Sequence, residues 1–437
     1  MAGIIIIITA ASIEIALALF SIVTKSNKPV IRGIIRLSYL ICFVLLTILS
    51  VIQWSFRYYA LAVLLLSLAL IGTIPLIRKP KEKPYKHAHT LLKTFGMIIL
   101  ISLCTLPAIL FPQYKPIAPT GSYQVGTVDY TYIDTHSIET YTDTGEYRKV
   151  NVEFTYPLNT NGRYPLIVFS PGTFGTKTSN TTLYNELASH GYIVCSIDHP
   201  YHALFTTGTK GRTVFIDGDY FKDFAAEDAK NNKQQSLEFY RKWMAVRTGD
   251  ISLVINSILT AANNQNSGTI YQRIDTTKLG VMGHSLGGSA ALGIGRIRND
   301  IDAVIALEAP FMCDIEGVEN NTFIFNQAPY PVPVLNVYSD SSWGHLADWP
   351  QYAENYRLLS DLNPNTNNIY IDGSRHLGLT DLSLLSPFFT RVLNGQSQTI
   401  DAVTCLQTLN KICLQFFDST LKNEGSFIGN ADTPSSQ

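Results

Sequence analysis

The apolar positions change rhythm about a quarter of the way along the chain. Before that point four stretches, Gly3–Val23, Leu37–Ser55, Tyr58–Ile77 and Thr94–Phe111, are apolar almost without interruption. Each is close to the roughly 20 residues a helix needs to cross a hydrocarbon core. Buried helices of a soluble protein would carry polar residues at helical spacing, and runs such as Ile4–Ile8 and Leu61–Leu70 have almost none. The pattern predicts four membrane spans within residues 1–111.

After the fourth stretch the rhythm becomes that of a globular domain. PQYKPIAPTG, at Pro112–Gly121, reads as an extended proline-rich tether, because proline fixes φ and cannot continue a helix. The predicted divisions are a linker at 112–122, a globular domain at 123–422 and a polar, disordered tail at 423–437. Short β-like runs occur at Val150–Tyr156, Leu166–Ser170, Tyr192–Ile197, Leu279–Gly283, Ala303–Leu307, Val334–Tyr338 and Asn368–Ile371. Several are apolar throughout, as strands covered on both faces are. Helical runs at Thr182–His190 and about 234–263 alternate with them, which predicts an α/β domain on a mostly parallel sheet. The least regular segment, about 200–235, follows a strand end and is placed to shape the mouth of a site.

Charge separates the same two parts. Residues 1–111 hold 11 Lys and Arg against two acids, Glu14 and Glu82, while the remainder is acidic by ten charges. Lys25, Lys28, Arg32 and Arg36 follow the first stretch, and Arg78, Lys79, Lys81, Lys83, Lys86 and Lys93 follow the third; only Arg57 separates the second and third. The excess of basic residues on cytoplasmic loops predicts that the globular domain lies on the non-cytoplasmic side of a multi-pass membrane protein. The first stretch has no basic region ahead of it and further spans after it, so it reads as a retained anchor and not a cleaved leader. Glu14 within it is costly in lipid and must face the bundle interior or serve a function there. The six cysteines show no metal-ligand spacing and imply no disulfide framework.

The chemistry centres on GVMGHSLGGSAALG, in which an apolar strand runs into Gly283-His284-Ser285-Leu286-Gly287 and then a small-residue helix. This is a nucleophile elbow in its required strand-turn-helix context. The serine needs a sharp, strained turn, so positions two before and two after it must be small, as Gly283 and Gly287 are. A helix starting at the serine aims its free N–H groups at a developing anion. The base must follow on a later loop; of the histidines after Ser285, His376 comes directly after the last apolar strand and is preferred over His345. Glu308 and Asp340 both end strands and both fit the order Ser, acid, His. Asp198, His199 and His202 cluster in IDHPYH but lack a second ligand group, so no metal is expected, nor any cofactor.

YPLIVFSPGTFGTKT, ELASHGYIVCSIDHP, GHSLGGSAA, AVIALEAPF and GSRHLGLTD, in this order, resemble the platelet-activating-factor acetylhydrolases and their bacterial relatives, over most of residues 148–390. The resemblance implies an α/β-hydrolase fold and a calcium-independent serine esterase acting on short or oxidised acyl chains of phospholipids. It also implies that the acid is Glu308, although aspartate is usual there, with Asp340 as the alternative. The N–H groups of Thr173 and Leu286 would form the oxyanion hole. The expected partner is an ester or phospholipid substrate, with the chain embedded in a membrane and no nucleic acid involved. Two readings of other classes compete: a hydrolase-fold ectodomain that only binds, against which the complete Ser, His and acid set argues, and a working helix bundle with Glu14 as its support.

Overall fold

The computed structural model describes residues 2–78, 85–264, 268–360, 365–427 and 429. The chain packs as two units, Met1–Lys115 with Leu384–Val392, and Pro116–Ser383 with Leu393–Gln437.

In the first unit α1 (Ala2–Val23), α2 (Pro29–Ile48), α3 (Tyr59–Ile77) and α4 (His87–Leu110) are each long and apolar enough to cross a membrane. Two boundaries correct the sequence reading. The second helix begins at Pro29, eight residues before the expected Leu37, because proline is suited to a first turn; it stops at Ile48, where the N–H groups of Val51 and Ile52 fold back onto the Leu46 carbonyl. The fourth helix starts at His87 and not Thr94, so His89 and Lys93 are helical. Arg32 and Arg36 therefore lie on α2 and not in a loop. Arg32 stands 3.7 Å from Glu14, and both are buried, so the carboxylate of α1 faces the bundle and is paired. Gly33 and Gly72 let α2 and α3 approach so closely that a side chain at Gly33 would overlap the Gly72 carbonyl. Lys79, Lys81 and Lys83 of the basic loop lie outside the described residues.

The second unit is built on eight strands: β1 (Val125–Ile138), β2 (Tyr147–Pro157), β3 (Tyr164–Ser170), β4 (Ile193–Asp198), β5 (Ile274–His284), β6 (Ala303–Leu307), β7 (Val334–Tyr338) and β8 (Thr366–Tyr370). They lie in the order β1-β2-β4-β3-β5-β6-β7-β8; β1 and β2 join antiparallel and the other six run parallel. This is an α/β-hydrolase sheet. Strands β3, β4, β6 and β7 are buried at every position, which explains their largely apolar sequences. The sequence reading missed β1: it pairs only with β2, at the sheet edge, and carries polar residues throughout.

Helices cover the sheet. The core holds Trp243, Ile251, Val254 and Ile258 of α7 (Lys233–Ala262) together with Val168, Cys195 and Val281 of the strands. α5 (Thr181–Ser189) and α9 (Ala402–Phe417) pack together, and α8 (Leu286–Ile297) follows β5. Between β4 and α7 lie a small hairpin (Phe205–Thr207 with Thr213–Phe215) and α6 (Gly218–Ala226). The tether ends inside this unit, with the Thr120 N–H on the Glu186 carboxylate and the Gly121 N–H on Ser189 Oγ. The tail expected to be disordered is ordered at its start: Asn368 donates its N–H to the Gly429 carbonyl and Phe427 packs on Phe416. Residues 430–437 lie outside the described residues. All six cysteines are free thiols.

A heavily charged buried contact joins β2 to α7. Arg148 donates to both Asp250 oxygens, at 2.6 and 2.8 Å, and to Glu139 at 2.9 Å. Arg148→Met leaves two buried carboxylates without their cation and is expected to cost about 3–5 kcal/mol. Thermal unfolding of the detergent-solubilised full chain, followed by tryptophan fluorescence, checks this.

Candidate active site

β5 ends at His284, and α8 begins one residue after Ser285. Ser285 takes φ 53° and ψ −126°, a left-handed conformation costly for a side chain with a Cβ. Its N–H donates to the Leu307 carbonyl of the neighbouring strand at 2.8 Å, which holds the turn closed. The flanking glycines are required by contact. A side chain at Gly283 would overlap the Gly287 backbone, and one at Gly287 would overlap the carbonyl oxygens of Ser170 and Pro171. Leu286, first in its helix, has an N–H with no intrahelical acceptor.

The loop after β3 lies against this turn. A Cβ on Gly172 would come 3.2 Å from the Cβ of Ser285 and 2.9 Å from His284 Nδ1. Among the described residues the Thr173 N–H has no acceptor, whereas the Phe174 N–H donates to the His202 carbonyl. Phe174 itself has φ 63° and bridges to Ala203, so the loop is tied to the segment after β4. Its ring stacks on Phe221 at 5.8 Å and meets Phe224 edge-on at 5.1 Å, both from α6 and both exposed. The irregular segment singled out in the sequence thus places an aromatic wall beside Thr173.

His376 follows β8 and is partly buried. Its backbone carbonyl accepts from His284 Nε2 at 2.9 Å, and the two rings lie 4.5 Å apart, so the His376 loop is brought against the elbow. Its N–H donates to Ser341 Oγ at 3.0 Å. Burial pulls the imidazole down to about 4. No hydrogen bond joins His376 to Ser285, Glu308 or Asp340 in this structure.

The two carboxylates have different surroundings. Glu308 directly follows β6, whose last residue, Leu307, pairs with His284. It adopts φ 51° and is fully buried; one oxygen accepts the Ser339 N–H at 2.5 Å and the other has no partner. Burial pushes the carboxyl up to about 7, against the lowering pull of hydrogen bonds from the serines around it. Asp340 is partly exposed, and one of its oxygens accepts from Tyr370 Oη at 2.7 Å and the Gly373 N–H at 3.0 Å. Its carboxylate thereby fastens the loop leading to His376. His345 lies exposed, stacked on Trp349.

A buried network that the sequence did not reveal runs beneath the Gly172 loop. Ser170 Oγ lies 2.8 Å from His199 Nε2, and His199 Nδ1 lies 2.8 Å from Asp250 Oδ2, the carboxylate that Arg148 holds. Burial and then the nearby Arg247 charge bring the His199 imidazole down to about 4, so it is neutral and accepts from the serine. This repeats the connectivity of a serine triad, but Ser170 has no exposed surface to meet a substrate. The neighbours of His199 in IDHPYH turn elsewhere: Asp198 accepts from Lys177 N and Thr206 Oγ1, and His202 bonds Tyr141 Oη and stacks on Tyr220. No cluster that could hold a metal occurs among the described residues.

Comparison with known proteins adds to this geometry. The family model described as platelet-activating factor acetylhydrolase, isoform II, matches residues 113–434. A platelet-activating factor acetylhydrolase from Canis lupus familiaris is 24% identical over 285 residues, covering 61% of this chain and 59% of the relative. One from Cavia porcellus is 21% identical over 296 residues, covering 64% and 62%. The chain thus spans about six tenths of the length of these curated relatives. Cutinase 1 of Thermobifida cellulosilytica is 29% identical over 147 residues, 34% of this chain and 40% of the cutinase. Among solved structures, a ferulic acid esterase from Streptomyces cinnamoneus superposes with a TM-score of 0.55 at 20% identity, over 74% of this chain and 97% of its own, which shows the shared fold.

The elbow contacts predict opposite outcomes for two glycines. Gly287→Ala forces a methyl into the Ser170 and Pro171 carbonyls and is expected to destabilise by about 1–3 kcal/mol. Gly249→Ala, on an open face of α7, is expected to stabilise by roughly 0.5–1 kcal/mol. Thermal unfolding of the two variants beside the wild type reads both.

Proposed function

We propose, because the chain belongs to the platelet-activating factor acetylhydrolase, isoform II family, that it is a membrane-anchored serine hydrolase that cleaves carboxylic esters, with short-acyl or oxidised phospholipids as its substrates. The observation that carries this reading is the strained Ser285 at a helix start, with the Gly172 loop packed on its Cβ and the His376 loop on its neighbour His284. In the proposed reaction Ser285 attacks the ester carbonyl, and His376 takes the serine proton and passes it to the leaving alcohol. Water, activated by the same imidazole, then releases the acyl group from Ser285. The N–H groups of Thr173 and Leu286 stabilise the oxyanion in both steps.

Glu308 is the proposed orienting acid. Its partnerless oxygen, buried one residue beyond the strand that pairs with the elbow strand, is available to a rotating imidazole. Asp340 also has one oxygen engaged, by Tyr370 and Gly373, but it is partly exposed where Glu308 is buried. In this reading residues 1–111 are a four-span anchor, 112–122 a linker and 123–422 the hydrolase domain. The basic residues between α1 and α2 and after α3 support a cytoplasmic side for those loops and the opposite side for the hydrolase. There the wall of Phe174, Phe221 and Phe224 would receive the apolar part of an ester drawn from the outer leaflet. A general esterase on small esters is the second reading, favoured by the similarity of 147 residues of the chain to a cutinase.

Hydrolysis of a graded series of sn-2 acyl phospholipids and simple aryl esters separates the two readings. A sharp preference for short or oxidised phospholipid chains is expected, while equal turnover of aryl esters and no phospholipid cleavage favours the general esterase. Ser285→Ala abolishes both activities if the proposed nucleophile is right. The acid and base must be ionised and neutral respectively. With His376 at about 4 and Glu308 at about 7, kcat/KM is expected to fall as the pH drops below about 7, when Glu308 takes up its proton. Glu308→Gln should lower kcat by about 10⁴ and remove this limb. Asp340→Asn should keep the limb and lose far less; the reverse pattern assigns the acid to Asp340.

A further inference from the structure

Arg247 of α7 is almost completely buried, 38 residues before the nucleophile, and none of its contacts is with a carboxylate. Its guanidinium donates to the Pro171 carbonyl at 2.6 Å and the Gly172 carbonyl at 3.3 Å, two successive backbone oxygens at the end of β3. Burying a cation against neutral carbonyls is expensive, and the core around it offers ample apolar side chains for the same volume.

We infer that Arg247 is a positioning residue for the oxyanion hole: it grips the Gly172 carbonyl from beneath so that the Thr173 N–H, in the same peptide unit, points up toward Ser285. The inference rests on the proposed role of Thr173. Its geometry follows from the peptide bond. No cis peptide occurs among the described residues, and in a trans unit the C=O and N–H point in opposite directions. A Gly172 oxygen drawn down onto Arg247 and also accepting the Gly175 N–H at 3.1 Å therefore sends the Thr173 N–H the other way. The face of Gly172 that lies against Ser285 Cβ has no room for a side chain, so the unit cannot rotate about a larger residue there. The cation also polarises the amide it binds, which makes its N–H a stronger donor to an anion.

The surrounding network fits this role. The residue ahead of the gripped pair is Ser170, whose hydroxyl is fixed by His199, which Asp250 holds in turn from the same helix as Arg247. Helix α7 thus holds three consecutive residues where β3 runs into the loop, Ser170 through His199 and Pro171 and Gly172 directly. The Gly172 loop is held by side chains from below and left free on the side where a substrate oxygen would arrive.

The test uses the full chain in detergent with a short-chain aryl ester and an aryl trifluoromethyl ketone, whose adduct with serine carries an oxyanion. Wild type must turn over the ester and Ser285→Ala must not; if Ser285→Ala stays active the proposed function fails and this inference falls with it. With that established, Arg247→Met is expected to lower kcat by about 10²-fold, the loss seen when one oxyanion donor is removed, with KM changed less than about threefold. The ketone should weaken by the same factor as kcat/KM. Arg247→Lys, which keeps the charge and one donor, should recover part of both losses. Unchanged kcat in folded variants, a loss confined to KM, ketone affinity that does not follow kcat/KM, or failure of both variants to fold each overturns the inference; the last would make Arg247 a core residue only.

Discussion

The backbone of β3 and the backbone of the elbow touch. The carbonyl oxygens of Ser170 and Pro171 occupy the space where a side chain at Gly287 would begin, and Gly172 lies on the Cβ of Ser285. Strands β3 and β5 are neighbours in the sheet, paired from Leu166 with Leu279 to Ser170 with Gly283, so both chains leave the sheet side by side. Only glycine at 172, 283 and 287 lets them do so without spreading apart. The arrangement brings an unpaired N–H, a helix start and a strained serine into one place without any side chain reaching for another. The remaining parts of the site can be added from later strands because this contact fixes where they must arrive.

Those parts arrive in the order of the sheet. β6 ends beside the elbow and delivers Glu308, β7 delivers Ser339 and Asp340, and β8 delivers the loop of His376. Each carboxylate is spent differently. Asp340 ties down Tyr370 and Gly373, while Glu308 keeps one oxygen without a partner in a site dry enough to raise its proton affinity. Beneath the same strand ends, buried charge is held in a chain from Glu139 and Arg148 through Asp250 to His199 and Ser170. Such charges are tolerated in a core only when every member is bonded, and they then specify one arrangement.

The sequence disclosed the parts of this plan that depend on local pattern. Continuous Val, Ile and Leu runs marked the strands covered on both faces, and the elbow announced itself because the strained turn restricts residue types within a few positions. The edge strand Val125–Ile138 passed unnoticed because no position along it is fully buried, so nothing compels an apolar run. Span boundaries slipped where a proline began a helix earlier than hydropathy did, which moved Arg32 onto a helix opposite Glu14. In the sequence the cluster of Asp198, His199 and His202 shows only that it lacks a second metal-ligand group, and no motif surrounds Arg247 or Asp250 in the helical run that carries them. The partners of His199, Arg247 and Asp250 lie between 29 and 102 residues away in the chain, and no spacing rule reaches that far. The choice between Glu308 and Asp340 could not be read for the same reason: both follow strands, and what differs is that Glu308 is buried whereas Asp340 is partly exposed.

The most direct test of the account is to label the full chain with a fluorophosphonate and map the modified peptide by mass spectrometry. The account predicts a single adduct on Ser285, within the peptide that carries Gly283 and Gly287, and none on Ser170 despite its hydrogen bond to His199. An adduct on Ser170, or no adduct on a chain that unfolds cooperatively, would contradict it.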